Sequence, residues 1–176
     1  MSQSEPPINH DYSWEQFALD IIKMNYTYEL PVQSVPTTNE EQLVKRLQDF
    51  LAIINKEIAE GFELQDALLT GLDGKQAAIN LADWYADIVV YVFSEAARHG
   101  IPLRQVLGIV MESNMTKLGK DGKPIKDKNG KFLKGPNFAP PEPKIAALFE
   151  KLWVEGREQG SQNKTFVENN TNKIGN

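Results

Sequence analysis

Apolar residues recur at helical spacing through most of this chain. Trp14, Phe17, Ala18, Ile21 and Ile22 predict a first amphipathic helix of about three turns. Leu30-Pro31 to Pro36 reads as an extended linker, because each proline disfavours helical backbone in the residue before it. Thr37-Thr38-Asn39-Glu40-Glu41 then supplies overlapping N-cap and capping-box signals. They open a long second helix whose buried face is predicted at Leu43, Leu47, Phe50, Leu51, Ile54 and Ile58, with Gly61 weakening or bending it. Gly71 to Gly74 marks a loop. A third helix, Gln76 to Arg98, is apolar almost all round, which predicts a place in the middle of a bundle. Gly100 and Pro102 separate it from a fourth helix over Leu103 to Lys117. A last amphipathic helix is predicted from Ile145 to Gly156. There is no internal repeat.

Ser113 to Phe138, SNMTKLGKDGKPIKDKNGKFLKGPNF, breaks this helical pattern. It spaces seven lysines around Asp121-Gly122 and Asn129-Gly130, dipeptides that suit the tight turns of a hairpin near residues 120–134. The predicted organisation is a polar lead-in over 1–11, a single all-α domain over 12–156, and a polar, disordered tail over 157–176.

Composition narrows the function classes. The 176 residues carry a net charge of −5 and a pI near 5.1, so the lysine-rich loop is out of character with the whole. No cysteine is present, which excludes disulfides and thiolate metal sites. His10 and His99 are too scattered for a zinc site. No apolar run is long enough to span a bilayer, and the N-terminal MSQSEPPINHDYSWEQ lacks the basic start and apolar segment of a signal peptide. A cytoplasmic protein with no membrane partner is expected.

Two pairs of carboxylates stand where side chains should be dry. Glu57 projects within about 20° of Phe50 on the second helix, and Glu60 lies about 60° further round. Asp83 and Asp87 are one turn apart on the third helix, where Asn80, Tyr91 and Ser94 continue a polar stripe. Four such carboxylates resist desolvation together unless a positive charge sits among them. Hard divalent cations suit oxygen donors, and Mg²⁺ binds through a few carboxylates together with substrate phosphates. The pattern therefore points to Mg²⁺ or Mn²⁺ and a phosphorylated ligand. The competing reading of each pair is a solvated helix face. Glu40, Glu41, Glu63, Asp66 and Glu95 read as caps or surface residues.

Taken together, Glu57-Ile58-Ala59-Glu60, Asp83-Trp84-Tyr85-Ala86-Asp87 and the SNMTK…DGK…KGPNF segment resemble the all-α nucleoside triphosphate pyrophosphohydrolases. This is the MazG-like group that includes the dimeric all-α dUTPases. The resemblance covers roughly residues 40–150. One departure is plain: the family's usual second pair is ExxD, and with Asp87 as its aspartate the glutamate position holds Trp84.

The resemblance implies a four- to five-helix bundle that hydrolyses nucleoside triphosphates to monophosphate and diphosphate. It implies metal ligation by Glu57, Glu60, Asp83 and Asp87, with Glu57 as general base. Asn114, Lys117 and Lys134 become contacts to the triphosphate or sugar, and Trp84, Tyr91 and Asn80 candidates for base or sugar recognition. A deoxynucleotide is favoured, with a lean to purines because Trp84 could stack on a large base; dUTP and dCTP are the alternatives. A homodimer or dimer of dimers is implied, in the host cytoplasm if the protein is phage-encoded. The rivals are a nucleic-acid module using the lysine loop, which the acidic pI opposes, and a metal-free helical interaction module.

Overall fold

The computed structural model describes residues 12–171, and the lead-in over 1–11 lies outside them. The fold is all-α. Five helices are described: α1 (Trp14–Thr27), α2 (Glu40–Leu69), α3 (Gly74–Arg98), α4 (Leu103–Met115) and α5 (Glu142–Thr171). The chain forms two compact units. One takes in α1, α2 from Lys45 onward and α3; the other takes in Gln33–Val44, α4, the lysine-rich loop and α5. Among the described residues no helix is long and apolar enough to cross a membrane.

Short polar side chains set the helix starts. Ser13 Oγ accepts the Gln16 amide at 3.1 Å and begins α1. Of the overlapping signals before α2, Asn39 is the cap, its Oδ1 accepting from the Gln42 amide at 3.0 Å. Asp73 does the same for α3, receiving the amides of Lys75 and Gln76. At the other end of the chain α5 runs on past Gly156 to Thr171, so the backbone of 157–171 continues a helix where the sequence predicts a polar tail.

In the first unit α1 packs on α3 through aromatic rings. Phe17 meets Phe93 edge-on at 5.0 Å between centroids, and Trp14 stacks on Phe93 at 6.0 Å. Ile21, Ala77, Phe93 and Ala96 are its buried apolar side chains. A polar pair adds direction. Asn25 is fully buried, its amide donating to the Ser94 carbonyl at 3.1 Å and its Oδ1 accepting the Ser94 hydroxyl at 2.6 Å. A buried amide satisfied on both sides fixes the register of two helices, because sliding either one would strand it.

α2 and α3 are held differently. The face of α2 predicted to be buried is substantially open: Leu47 is 55% exposed and Leu51 51%, with Leu43 and Ile58 exposed as well. The buried residues of α2 are instead Arg46 and Glu57. Arg46 forks onto Glu95 of α3, Nε donating to Oε1 at 2.9 Å and an Nη to Oε2; Arg98 Nη1 lies 3.7 Å from the same carboxylate. Glu95 is therefore a buried ion-pair partner and not the surface residue its sequence context predicts. The second fastening is Trp84, whose indole N–H donates to the Glu57 carbonyl at 2.8 Å. Gly61 lies within α2, which continues as helix from Glu40 to Leu69. Its missing side chain makes a slot for the Trp84 ring: a Cβ there would lie 2.7 Å from the indole. The two fastenings are eleven residues apart on both helices (46 to 57, 84 to 95), in opposite chain directions. Eleven residues are close to three helical turns, so each helix presents both to one side.

The predicted β-hairpin is reduced to two isolated antiparallel bridges, Leu118 with Pro124 and Lys126 with Phe132. Each tight turn has its glycine at positive φ, Gly122 at 73° and Gly130 at 80°. Side chains take over the work of a ladder: Asp127 Oδ1 accepts from the amides of Asn129 and Lys131, and Asp121 Oδ1 from that of Lys123.

Replacing Arg46 with Met removes the bidentate partner of the buried Glu95 carboxylate. A loss of about 3–5 kcal/mol in unfolding free energy is expected. Urea titration followed by circular dichroism measures it.

Candidate active site

The acidic group forms within the first unit, where α2 faces α3. Glu57 is only 6% exposed, and its Oε2 has no hydrogen-bond partner. Burial, then the neighbouring charges of Glu60 and Asp87, push its carboxyl pKa above the ordinary glutamate value. The Tyr91 phenol is raised in the same way, by partial burial and then by Glu57, Asp87 and Glu60. These four residues thus share one electrostatic neighbourhood. Asp83 is exposed on α3 and is not among the charges acting on Glu57.

Of the four carboxylates the sequence singles out, the structure draws three toward each other. They do not form a closed coordination shell: among the described residues no group of three or more acidic or histidine side chains is set to hold a metal ion. Their chemistry nevertheless fits a hard divalent cation. They offer oxygen donors only, and a buried carboxylate oxygen without a partner is the kind of group a cation satisfies.

Trp84 lies beside this group but is already engaged. One side of its ring fills the Gly61 slot, its N–H is spent on the Glu57 carbonyl, and Tyr85 lies 5.2 Å away between centroids. The side-chain Oδ1 of Asn80 accepts from Gln76 Nε2 one turn earlier at 2.8 Å.

In the second unit the two ends of the lysine-rich segment are stitched together. Ser113 Oγ donates to the Ala139 carbonyl at 2.7 Å, and the Ala139 amide donates to Thr116 Oγ1 at 2.9 Å. Gly135 is buried against the Leu118 carbonyl, where any side chain would collide. This closure brings Lys117 and Lys134 to the same ring. Their Nζ atoms lie 5.9 and 4.5 Å from the Phe138 centroid, and Lys117 also donates to Asn114 Oδ1 at 2.7 Å. Asn114, Lys117 and Lys134, predicted as a phosphate-binding set, are therefore neighbours in space. Phe138, which holds the two ammonium groups, was not singled out by the sequence. Its signal was its place at the end of KGPNF.

No family model matches the chain, and no curated protein matches it at a significant level. Among the solved structures that match is one from Exiguobacterium sp. 255-15, described as a "putative NTP pyrophosphohydrolase". The likeness is distant: 16% identity over 91% of this chain and 89% of that one, with a TM-score of 0.45.

The raised Glu57 pKa has a consequence for stability. Between the ordinary glutamate value and the raised one, the folded state binds more protons than the unfolded state. Stability therefore falls as pH rises through that window and stays lower above it. Glu57→Gln removes this dependence. Its melting temperature is expected to exceed that of the unmodified protein at pH 8. At pH 4 no gain is expected. Thermal melts in EDTA at the two pH values check this.

Proposed function

We propose that this protein is a metal-dependent nucleoside triphosphate pyrophosphohydrolase, converting a deoxynucleoside triphosphate and water to the monophosphate and diphosphate. One observation carries the reading: Glu57 is buried with a free carboxylate oxygen beside Glu60 and Asp87, an arrangement that costs stability unless a cation is its purpose. The resemblance of the ExxE, DxxxD and SNMTK…KGPNF segments to the MazG-like group supplies the reaction class.

Glu57, Glu60 and Asp87, with Asp83 at the margin, would hold Mg²⁺ or Mn²⁺. When bound, the cation supplies neutralisation of the phosphate charge. A water oxygen attacks the α-phosphorus, the bond from that phosphorus to the bridging oxygen breaks, and diphosphate leaves with the bonding pair. Glu57 takes the proton from the water. By the same resemblance Asn114, Lys117 and Lys134 would contact the triphosphate or sugar, the ammonium groups as point charges.

The substrate is a deoxynucleotide in this reading, and its base is left open. The ring that favoured purines is occupied on its Gly61 side. Self-association belongs to the same proposal, because Leu47, Leu51, Ile58 and Phe62 leave an apolar stripe of α2 exposed that a second copy can cover.

A panel of deoxynucleoside and ribonucleoside triphosphates with Mg²⁺ or Mn²⁺, scored for products, tests the reaction. Monophosphate and diphosphate are expected; orthophosphate and a nucleoside diphosphate would place the cleavage elsewhere and overturn the proposal. Glu57→Gln is expected to lower kcat by about 10²–10⁴, the range for loss of a general base. Lys117→Ala with Lys134→Ala is expected to raise KM by about tenfold or more, the effect of about 1.4 kcal/mol of lost binding.

A further inference from the structure

We propose that Trp84 is a positioning residue for the Glu57 carboxylate, acting through the Glu57 backbone carbonyl and the Gly61 slot, and not a surface on which a nucleotide base stacks. The inference deepens the hydrolase reading and rests on it only for its link to turnover.

Within an α-helix the Glu57 carbonyl already faces the amide of residue 61, four positions on. The indole N–H reaches the same oxygen at 2.8 Å, so it uses the carbonyl's remaining lone pair. The ring can come that close because residue 61 has no side chain. One indole therefore touches both ends of a single helical turn, the turn that begins with the buried carboxylate. A contact to backbone at one end and to a bare Cα at the other fixes the height and the rotation of Glu57 together. On α3, Asp87 follows Trp84 by three residues and lies on a neighbouring part of the same face. The ring thus sets how far the Glu57 carboxylate stands from that of Asp87, whose charge acts on it. The same geometry commits one side of the ring to the slot and its donor edge to the helix. At the position where the resembling family carries an acid, this chain spends an aromatic ring on placing the acids that remain.

The test compares the coupling between Glu57 and Asp87 with and without the indole N–H. Unfolding free energies of the unmodified protein, Glu57→Gln, Asp87→Asn and the double variant, taken in EDTA by urea titration, give the coupling. The same cycle is repeated in a Trp84→Phe background, which keeps a flat ring but loses the donor. The proposal expects the coupling in the Phe background to fall to less than half. An unchanged coupling overturns it. This measurement needs neither metal nor substrate, so it decides the role of Trp84 even if no nucleotide is hydrolysed. In the active enzyme, Trp84→Phe is expected to weaken Mn²⁺ binding by about 10–100-fold, the usual cost of losing a residue that orients a ligand. It should lower kcat/KM for every deoxynucleoside triphosphate by the same factor. A loss confined to purines would overturn positioning in favour of stacking. Asn25→Ala, which loosens α1 from α3 elsewhere, serves as the control for lost stability and is expected to keep Mn²⁺ affinity unchanged.

Discussion

Everything proposed for the acidic group depends on how α2 is fastened to α3. The fastening is polar: an Arg46–Glu95 ion pair near one end and the Trp84 N–H on the Glu57 carbonyl near the other. Because the spacing is eleven residues on each helix, about three turns, both fastenings engage without twisting either helix out of phase. Two fixed points define a line, and Glu57 lies on it. A purely apolar seam would tolerate sliding by a fraction of a turn. Directional bonds at two levels do not.

This choice has an energetic side. Few apolar side chains of the first unit are buried, while Asn25, Arg46, Ser94 and Glu95 are. Each is satisfied by a partner, so none carries the desolvation penalty of an orphaned group. Such interactions add little net stability compared with apolar packing, but they penalise wrong registers heavily. Glu57 differs from these four in having an oxygen buried without a hydrogen-bond partner, as the neighbouring Arg98 has at its Nε. Within the acidic group it is the buried member, with the charges of Glu60 and Asp87 acting on it.

The helices were legible in the sequence because capping residues and apolar periodicity are local signals. Asn39 and Asp73 act where such residues should, and the Gly122 and Gly130 turns follow from their dipeptides. Glu57 was legible for the same reason, since helical spacing alone predicts its burial, whereas Glu60, Asp83 and Asp87, predicted to be dry, are exposed. What the sequence hid was pairing across long separations. Glu95 looks like any acid near a helix end until Arg46, 49 residues earlier, is placed beside it. Gly61 looks like a helix breaker until the Trp84 ring is seen to occupy its place. The stripe of Leu47 and Leu51 misled for the opposite reason: periodicity marks a face that wants covering, and cannot say that the cover comes from the same chain.

The Gly61 slot also shapes how this protein can vary. An alanine at 61 and a tryptophan at 84 compete for the same few cubic ångströms, so neither position can drift alone without loss. A smaller ring at 84 would release 61 to accept a side chain, and only then. The two sites, distant in the chain, form a single mutational unit, and variation at one should be readable only alongside the other.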